Sequence, residues 1–263
     1  MLLSLMMMDD LTFYSFGTCL AAITFIAVQD FIGPFFSSLV CPKYETLPRQ
    51  VRLEWDGKVC STVHAIYMAT SATIITLTEP DSFFNSFRDE SFIMKIVYAV
   101  IVGYEIADLR HMVVKKTFET PYVIHHSSVI VCGFYCMFIN STVDYYLYLR
   151  LLSEYAVPFV NLRWILRYPL DYPIYSKLYI GNGVIILLTY TFFRVGIIPF
   201  YYYKVYEGAS TAVLPHVCGA VMDMLNIWWY SKVLAAFRRG LFGDRKSNEV
   251  HVEGNEIKKG KRD

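Results

Sequence analysis

Charge is scarce in this chain: of 263 residues, 18% are Asp, Glu, Lys or Arg, against 55% hydrophobic residues and 17% aromatics. A water-exposed globular domain needs about a quarter of its residues charged, so a soluble fold is excluded and the composition is that of a membrane protein. A surplus of one sign is missing as well. With a net charge of +1 there is no concentrated basic footprint, which excludes nucleic acid as the main partner. Informative cysteine spacing is absent: Cys19, Cys41, Cys60, Cys132, Cys136 and Cys218 form neither a paired framework nor a CxxC motif, so disulfide and zinc roles are not expected and no metal ligand is assigned. Cys132 and Cys136, four apart, read as small buried thiols. The opening MLLSLMMMDD lacks a basic n-region and a small-residue cleavage site, so the first apolar run is expected to remain in the protein.

Long apolar runs dominate what is there. A bilayer core takes about 20 residues per helix, and seven candidate spans cover 11–31, 59–78, 92–109, 122–140, 145–166, 178–200 and 209–235. The fifth is interrupted by Arg150, Glu154, Pro158 and Asn161, a pattern expected of a kinked or re-entrant segment. Loop charges alternate as seven spans require. Lys43, Arg49, Arg52 and Lys58, then Arg110, Lys115 and Lys116, then Arg163, Arg167 and Lys177 mark one side. The other carries Arg88 among Glu79, Asp81, Asp89 and Glu90, then a nearly uncharged turn near Thr142, then Lys204 with Glu207. Lys and Arg collect in cytosolic loops, which predicts a lumenal N-terminus and a cytosolic C-terminus. Trp55, Trp164, Trp228 and Trp229 lie near predicted span ends and read as interfacial anchors.

The chain divides into residues 1–48, holding the lumenal N-terminus, the first span and the start of a cytosolic loop; 49–241, with six spans; and 242–263, a polar tail expected to be disordered. Lys261 and Lys259 stand third and fifth from the end, as in the dilysine signal by which coat proteins return membrane proteins to the endoplasmic reticulum; a solvated basic tail would match the same pattern by chance. Asn140-Ser141-Thr142 is a glycosylation sequon that falls hard against the membrane and is expected to stay unmodified.

Polar residues inside the spans carry the functional reading. Glu105 and Asp108 fall in the third, the adjacent pair His125 and His126 in the fourth, Arg150, Glu154 and Asn161 in the fifth, Asn182 and Arg194 in the sixth, and His216, Asp223 and Asn226 in the seventh. An ionisable group in hydrocarbon is expensive and normally faces a bundle interior. Spacings of three, four and seven align each set on one helix face. Adjacent residues diverge by ~100° around a helix, so one histidine is expected to line a cavity while its neighbour packs or orients it. Helical rise places Asp108, His126, Asn161 and Asn182 towards the cytosolic side, and Glu154, Asp223 and Asn226 nearer the midplane. The alternative is that these groups pair with one another to lock the bundle, Arg150 with Glu154 along one helix. A neutral imidazole can take a proton from an amine or alcohol, or be acylated itself, and either use suits acyl transfer.

Tyr104-Glu105-Ile106-Ala107-Asp108, Ile124-His125-His126, Glu154 followed by Pro158-Phe159-Val160-Asn161-Leu162-Arg163-Trp164, and Met222-Asp223-Met224-Leu225-Asn226-Ile227-Trp228 together resemble the TLC family, the domain shared by translocating-chain-associated proteins, ceramide synthases and the neuronal ceroid lipofuscinosis protein eight. Asp108, His125 and His126 match positions of the wide family, Glu154 and Asn161 those of a narrower branch. The resemblance implies an all-α, multi-pass fold in which six helices form a barrel around a central cavity, with the first span beside it. It implies lipid homeostasis in the endoplasmic reticulum, and it carries over acyl-CoA-dependent acyl transfer with His125 and His126 as catalytic residues and acyl-CoA as co-substrate. Asp108, Glu154, Asn161, Asp223 and Asn226 would then contact or orient the lipid. Where ceramide synthases have His-Asp-x-x-Asp, this chain has Arg150 and Glu154, a departure that separates it from them. A noncatalytic lipid-sensing regulator or cargo receptor is the other reading of the same features, with the tail then central.

Overall fold

The structure, a computed structural model, describes residues 9–78, 92–116, 118–139, 150–174, 176–208 and 213–242. The expected acidic connection at 79–91, the sequon, residues 145–149 of the fifth span, the start of the seventh and the dilysine-like tail lie outside them. The described residues are mainly helical, with no strand among them.

Helix α1 runs over Asp10–Val40, opened by Asp9, whose carboxylate accepts from the backbone N–H of Thr12 at 2.9 Å. That cap satisfies one of the donors left bare at a helix start. Helix α2 is Arg49–Thr78, α3 Phe92–Lys115 and α4 Thr120–Phe138. Helix α5 is Val157–Arg167, preceded by a tight 3-10 stretch, Leu152–Ala156. Helix α6 runs Lys177–Thr189, widens into a π-helical turn at Tyr190–Val195 and continues as Ile197–Gly208; α7 is Val213–Phe242. By length and apolarity alone, Asp10–Val40, Arg49–Thr78 and Lys177–Tyr203 could each cross a membrane. Of the remaining helices, α5 is too short, at 11 residues, and the others carry polar residues within their apolar runs.

Six helices close a ring. Going round it, α3 packs on α4, α4 on α7, α7 on α6, α6 on α5, α5 on α2, and α2 returns to α3. Helix α1 stands outside, laid along α3. Small residues make that crossing close: a Cβ on Gly103 would come within 2.6 Å of Ala21 Cβ and 2.7 Å of the Thr18 carbonyl oxygen, and one on Gly17 within 2.9 Å of Ala99 Cβ. Gly17 and Ala21 are one turn apart, as are Ala99 and Gly103, so two small-xxx-small faces meet, the arrangement by which helices approach in lipid. Arg110 adds an ion pair to Asp30 at 2.7 Å.

Polarity is distributed inside out. Leu20, Ile23 and Phe31 on α1 and Leu188 and Phe192 on α6 are exposed, while Glu105, His126, Asn161, Arg194 and Asp223 are buried. Water would not support that surface; lipid does. An apolar cluster including Met68, Ile75, Val97, Val102, Val129 and Met137 fills the ring at the end away from Lys58 and Lys115.

Two readings from the sequence are corrected. Trp55 is not an interfacial anchor but is buried, donating its indole N–H to Ser37 Oγ at 3.0 Å and packing on Tyr44. Tyr44 in turn donates to Asp56 Oδ1 at 2.8 Å, and burial beside that carboxylate pushes its phenol well above the usual range. Trp229 faces inward, against His125. Trp228 does stay exposed, under the ammonium of Lys232 at 3.3 Å from the ring centre.

Candidate functional site

Helix α3 brings Glu105 and Asp108 to one inward face, one turn apart, and α4 sets His126 between them. His126 Nδ1 contacts Glu105 Oε2, and Nε2 lies 3.0 Å from Asp108 Oδ2, within ion-pair range though off the direct line of a ring N–H. Asp108 Oδ1 also accepts from Gln29 Nε2 of α1 at 3.4 Å, so the outer helix reaches the centre through the ring. Gln29 sits in the π-helical turn Val28–Ile32, which turns its side chain inward. Of the two adjacent histidines, His126 is therefore the one held from both sides.

His125 is held by packing instead. Its ring meets His126 edge to face at 5.2 Å and Trp229 at 5.6 Å, and its buried Nδ1 has no hydrogen-bond partner among the described residues. His64, on α2, is a third imidazole at the same place. It stacks on Tyr104 at 3.6 Å with the rings 8° from parallel, is 3% exposed, and its Nε2 is likewise unpartnered. The sequence reading passed over His64; the rule that picked out His125 and His126, an ionisable group within an apolar run, would have found it.

Two cavities meet here. The larger, about 180 Å³, reaches from Glu54, Lys58, Lys115 and Glu119 at its mouth to His126 and Asp108. Lys115 bonds Glu54 at 2.6 Å and Lys58 lies 3.6 Å from it, so the mouth is ringed by charge. The smaller, about 70 Å³, continues past Val129, Leu151 and Met222 to Asp223. His64, Glu105, His125, Glu154 and Arg194 line both.

All seven residues expected at the site line this space: Asp108, His126 and Asn161 the larger cavity, Asp223 and Asn226 the smaller, His125 and Glu154 both. Several are also tied to neighbours. Asp223 accepts both ends of the Arg150 guanidinium at 2.7 and 2.9 Å, with Tyr201 beneath the cation at 4.2 Å. Arg150 thus pairs across helices rather than with Glu154, because the 3-10 stretch from Leu152 takes residues four apart off a common face. Glu154 instead lies 3.9 Å from Arg194, which donates to Asn226 Oδ1 at 3.0 Å and to the Ser153 carbonyl at 3.2 Å. Asn161 donates to the Lys58 carbonyl and to Thr62 Oγ1, both at 3.1 Å. Asn182 lies off the cavities, donating to the Phe159 carbonyl at 3.0 Å.

A lipid-facing helical ring around a buried cluster of imidazoles and carboxylates defines a polytopic membrane protein with an internal polar chamber. The TLC domain profile matches residues 54–235, and the chain belongs to the TLC domain family. It is 28% identical over 229 residues to human TLC domain-containing protein 4, covering 82% of this chain and 86% of that protein. The Xenopus tropicalis protein of the same name is 26% identical over 245 residues, 88% and 93% of the two chains. A TLC domain-containing protein of Schizosaccharomyces pombe is 25% identical over 257 residues, 89% and 83%. No solved structure matches the chain.

Proposed function

We propose that this chain acts in membrane lipid homeostasis in the endoplasmic reticulum, as an acyl-CoA-dependent lipid acyltransferase whose reactive imidazole is His125. One observation carries the reading: a ring nitrogen with no partner among the described residues sits where a charge-ringed cavity joins an apolar one. A head group and a thioester entering from the polar mouth would meet His125 with the acyl chain directed to the apolar side.

The step balances with the protein's own groups. An amine or hydroxyl of the acceptor lipid attacks the thioester carbonyl carbon, His125 takes the nucleophile's proton, the carbon–sulfur bond breaks, and the proton passes to the departing thiolate. His126, fixed by Glu105 and Asp108, orients its neighbour. Asp108, Asn161 and Glu154 supply polar contacts for the head group, while Asn226 and Asp223, on the side of the smaller cavity, hold Arg194 and Arg150 in place. The two cavities are smaller than the ~300–1,000 Å³ of ordinary ligand sites, so only the reacting end of a lipid fits without side-chain movement. The coenzyme stays at the mouth beside Lys58 and Lys115.

The test is turnover of acyl-CoA with candidate lipid acceptors by purified protein, together with lipidomics of cells lacking it. His125→Ala is expected to remove turnover, a loss of at least about a hundredfold for a general base, and the His125→Ala/His126→Ala chain should fail to restore the lipid profile. Normal turnover or full restoration by the double variant overturns catalysis and leaves the noncatalytic regulator or cargo receptor.

A further inference from the structure

Glu105 and Asp108 pose an electrostatic problem that the acyl-transfer reading leaves unsolved. Both face the interior of the helical ring, and Glu105 is 2% exposed. Among the described residues no Lys or Arg forms an ion pair with either, although two other inward carboxylates do have arginines, Asp223 with Arg150 and Glu154 with Arg194. One imidazole, His126, faces both. A single positive charge at most, set against two carboxylates in a medium of low dielectric, leaves net negative charge where it is costly.

The surrounding donors match a cation. Glu105, His125 and His126 each offer a ligand atom, and the three atoms lie within 4.8 Å of one another. We propose that these residues form a binding site for a divalent first-row transition ion of the zinc type. Two imidazoles with one carboxylate are the donor set of an open zinc site, in which a fourth position is left for water or substrate. Ligand bonds of ~2.0–2.2 Å put tetrahedral donors about 3.3 Å apart, so side-chain rotation closes the set. A divalent ion balances the two carboxylates, Glu105 directly and Asp108 through the ring of His126.

Unpartnered nitrogens point the same way. His125 Nδ1 and His64 Nε2 are buried without hydrogen-bond partners among the described residues, and both residues line the chamber at Glu105. His126 presents Nδ1 to Glu105 and turns Nε2 to Asp108. A small rotation of the ring would bring Nε2 into line with Asp108, the arrangement of a metal-bound imidazole whose far nitrogen is oriented by an outer carboxylate. Asp108 is accordingly a positioning residue and Glu105 a ligand. A ring nitrogen bound to a cation cannot take up a proton, so occupancy competes with base catalysis at His125; the binding test is therefore read without activity.

The full chain, purified in detergent through a tag free of histidine, is analysed for bound metal and then titrated with Zn2+ and Co2+ after chelation. Roughly one zinc per chain, and intense visible absorption from four-coordinate Co2+, are expected. Glu105→Gln and His125→Gln should each weaken binding by more than about a hundredfold, and Asp108→Asn by about 10–100-fold, the range for outer partners. Size-exclusion profiles screen the variants for folding, and X-ray absorption at the zinc edge of the unaltered chain, expected to show imidazole nitrogen and oxygen neighbours, serves if they fail. An unaltered chain that takes up neither ion, or folded Glu105→Gln and His125→Gln chains that keep full affinity, overturns the site. The unaltered chain separates the two proposals: acyl transfer that persists after chelation leaves catalysis standing without the ion, and stoichiometric metal uptake by a chain that turns over no acyl-CoA leaves the site standing without catalysis.

Discussion

At the scale of single residues, the chamber is organised by which charges have partners. Arg150 and Asp223 form a buried bidentate pair, backed by Tyr201 and by Gly219, where a Cβ would stand 3.0 Å from the Arg150 guanidinium. Breaking such a pair from one side strands a charge, while replacing both partners with apolar groups does not. Arg150→Met is expected to destabilise the protein by about 3–5 kcal/mol, and Arg150→Met/Asp223→Leu to recover most of that loss. Thermal unfolding of the two variants in detergent checks this; equal loss in both would show that the pair is not desolvated. The polar residues themselves were legible in the sequence, since each interrupts an apolar run. Their partners were not. Arg150 sits four residues from Glu154 yet bonds a residue 73 positions away, because backbone geometry between Leu152 and Ala156 sets the direction of each side chain.

At the scale of elements, the helices are readable and their irregularities are not. Seven apolar runs predict seven helical rods, and Pro158 near the start of α5 marks the break expected from the interrupted fifth run. The π-helical turns at Val28–Ile32 and Tyr190–Val195 are each followed by a glycine and a proline, Gly33-Pro34 and Gly196 with Pro199, but that these turn Gln29 and Arg194 inward does not show in the apolar pattern. An extra residue in a turn shifts the facing of everything around it, and hydrophobic periodicity averages that out. Close approach of α1 to α3 depends on small residues whose role appears only when the faces meet. Gly103→Leu should cost about 1–3 kcal/mol of packing and detach α1 while the six-helix ring persists. Limited proteolysis, with α1 released before the ring is cut, is the measurement; an unchanged digestion pattern would show that α1 is held elsewhere.

At the scale of the whole molecule, the ring has a polar mouth at the end rich in Lys and Arg and an apolar plug at the other. The orientation proposed from loop charge turns that mouth to the cytosol, where acyl-CoA and metal ions would enter. A single cysteine introduced as Glu119→Cys into a chain otherwise free of cysteine should react with an impermeant maleimide on intact microsomes; protection until the membrane is opened would reverse the orientation. Composition and the seven runs by themselves determined a helical membrane protein with ionisable groups turned inward, because lipid tolerates no other use of so little charge. Only the tertiary structure decided which histidine is clamped and which is open, and that His64, Glu105 and Gln29 join them. Those contacts link helices distant in the chain, and no periodicity within one helix encodes which face of another it will meet.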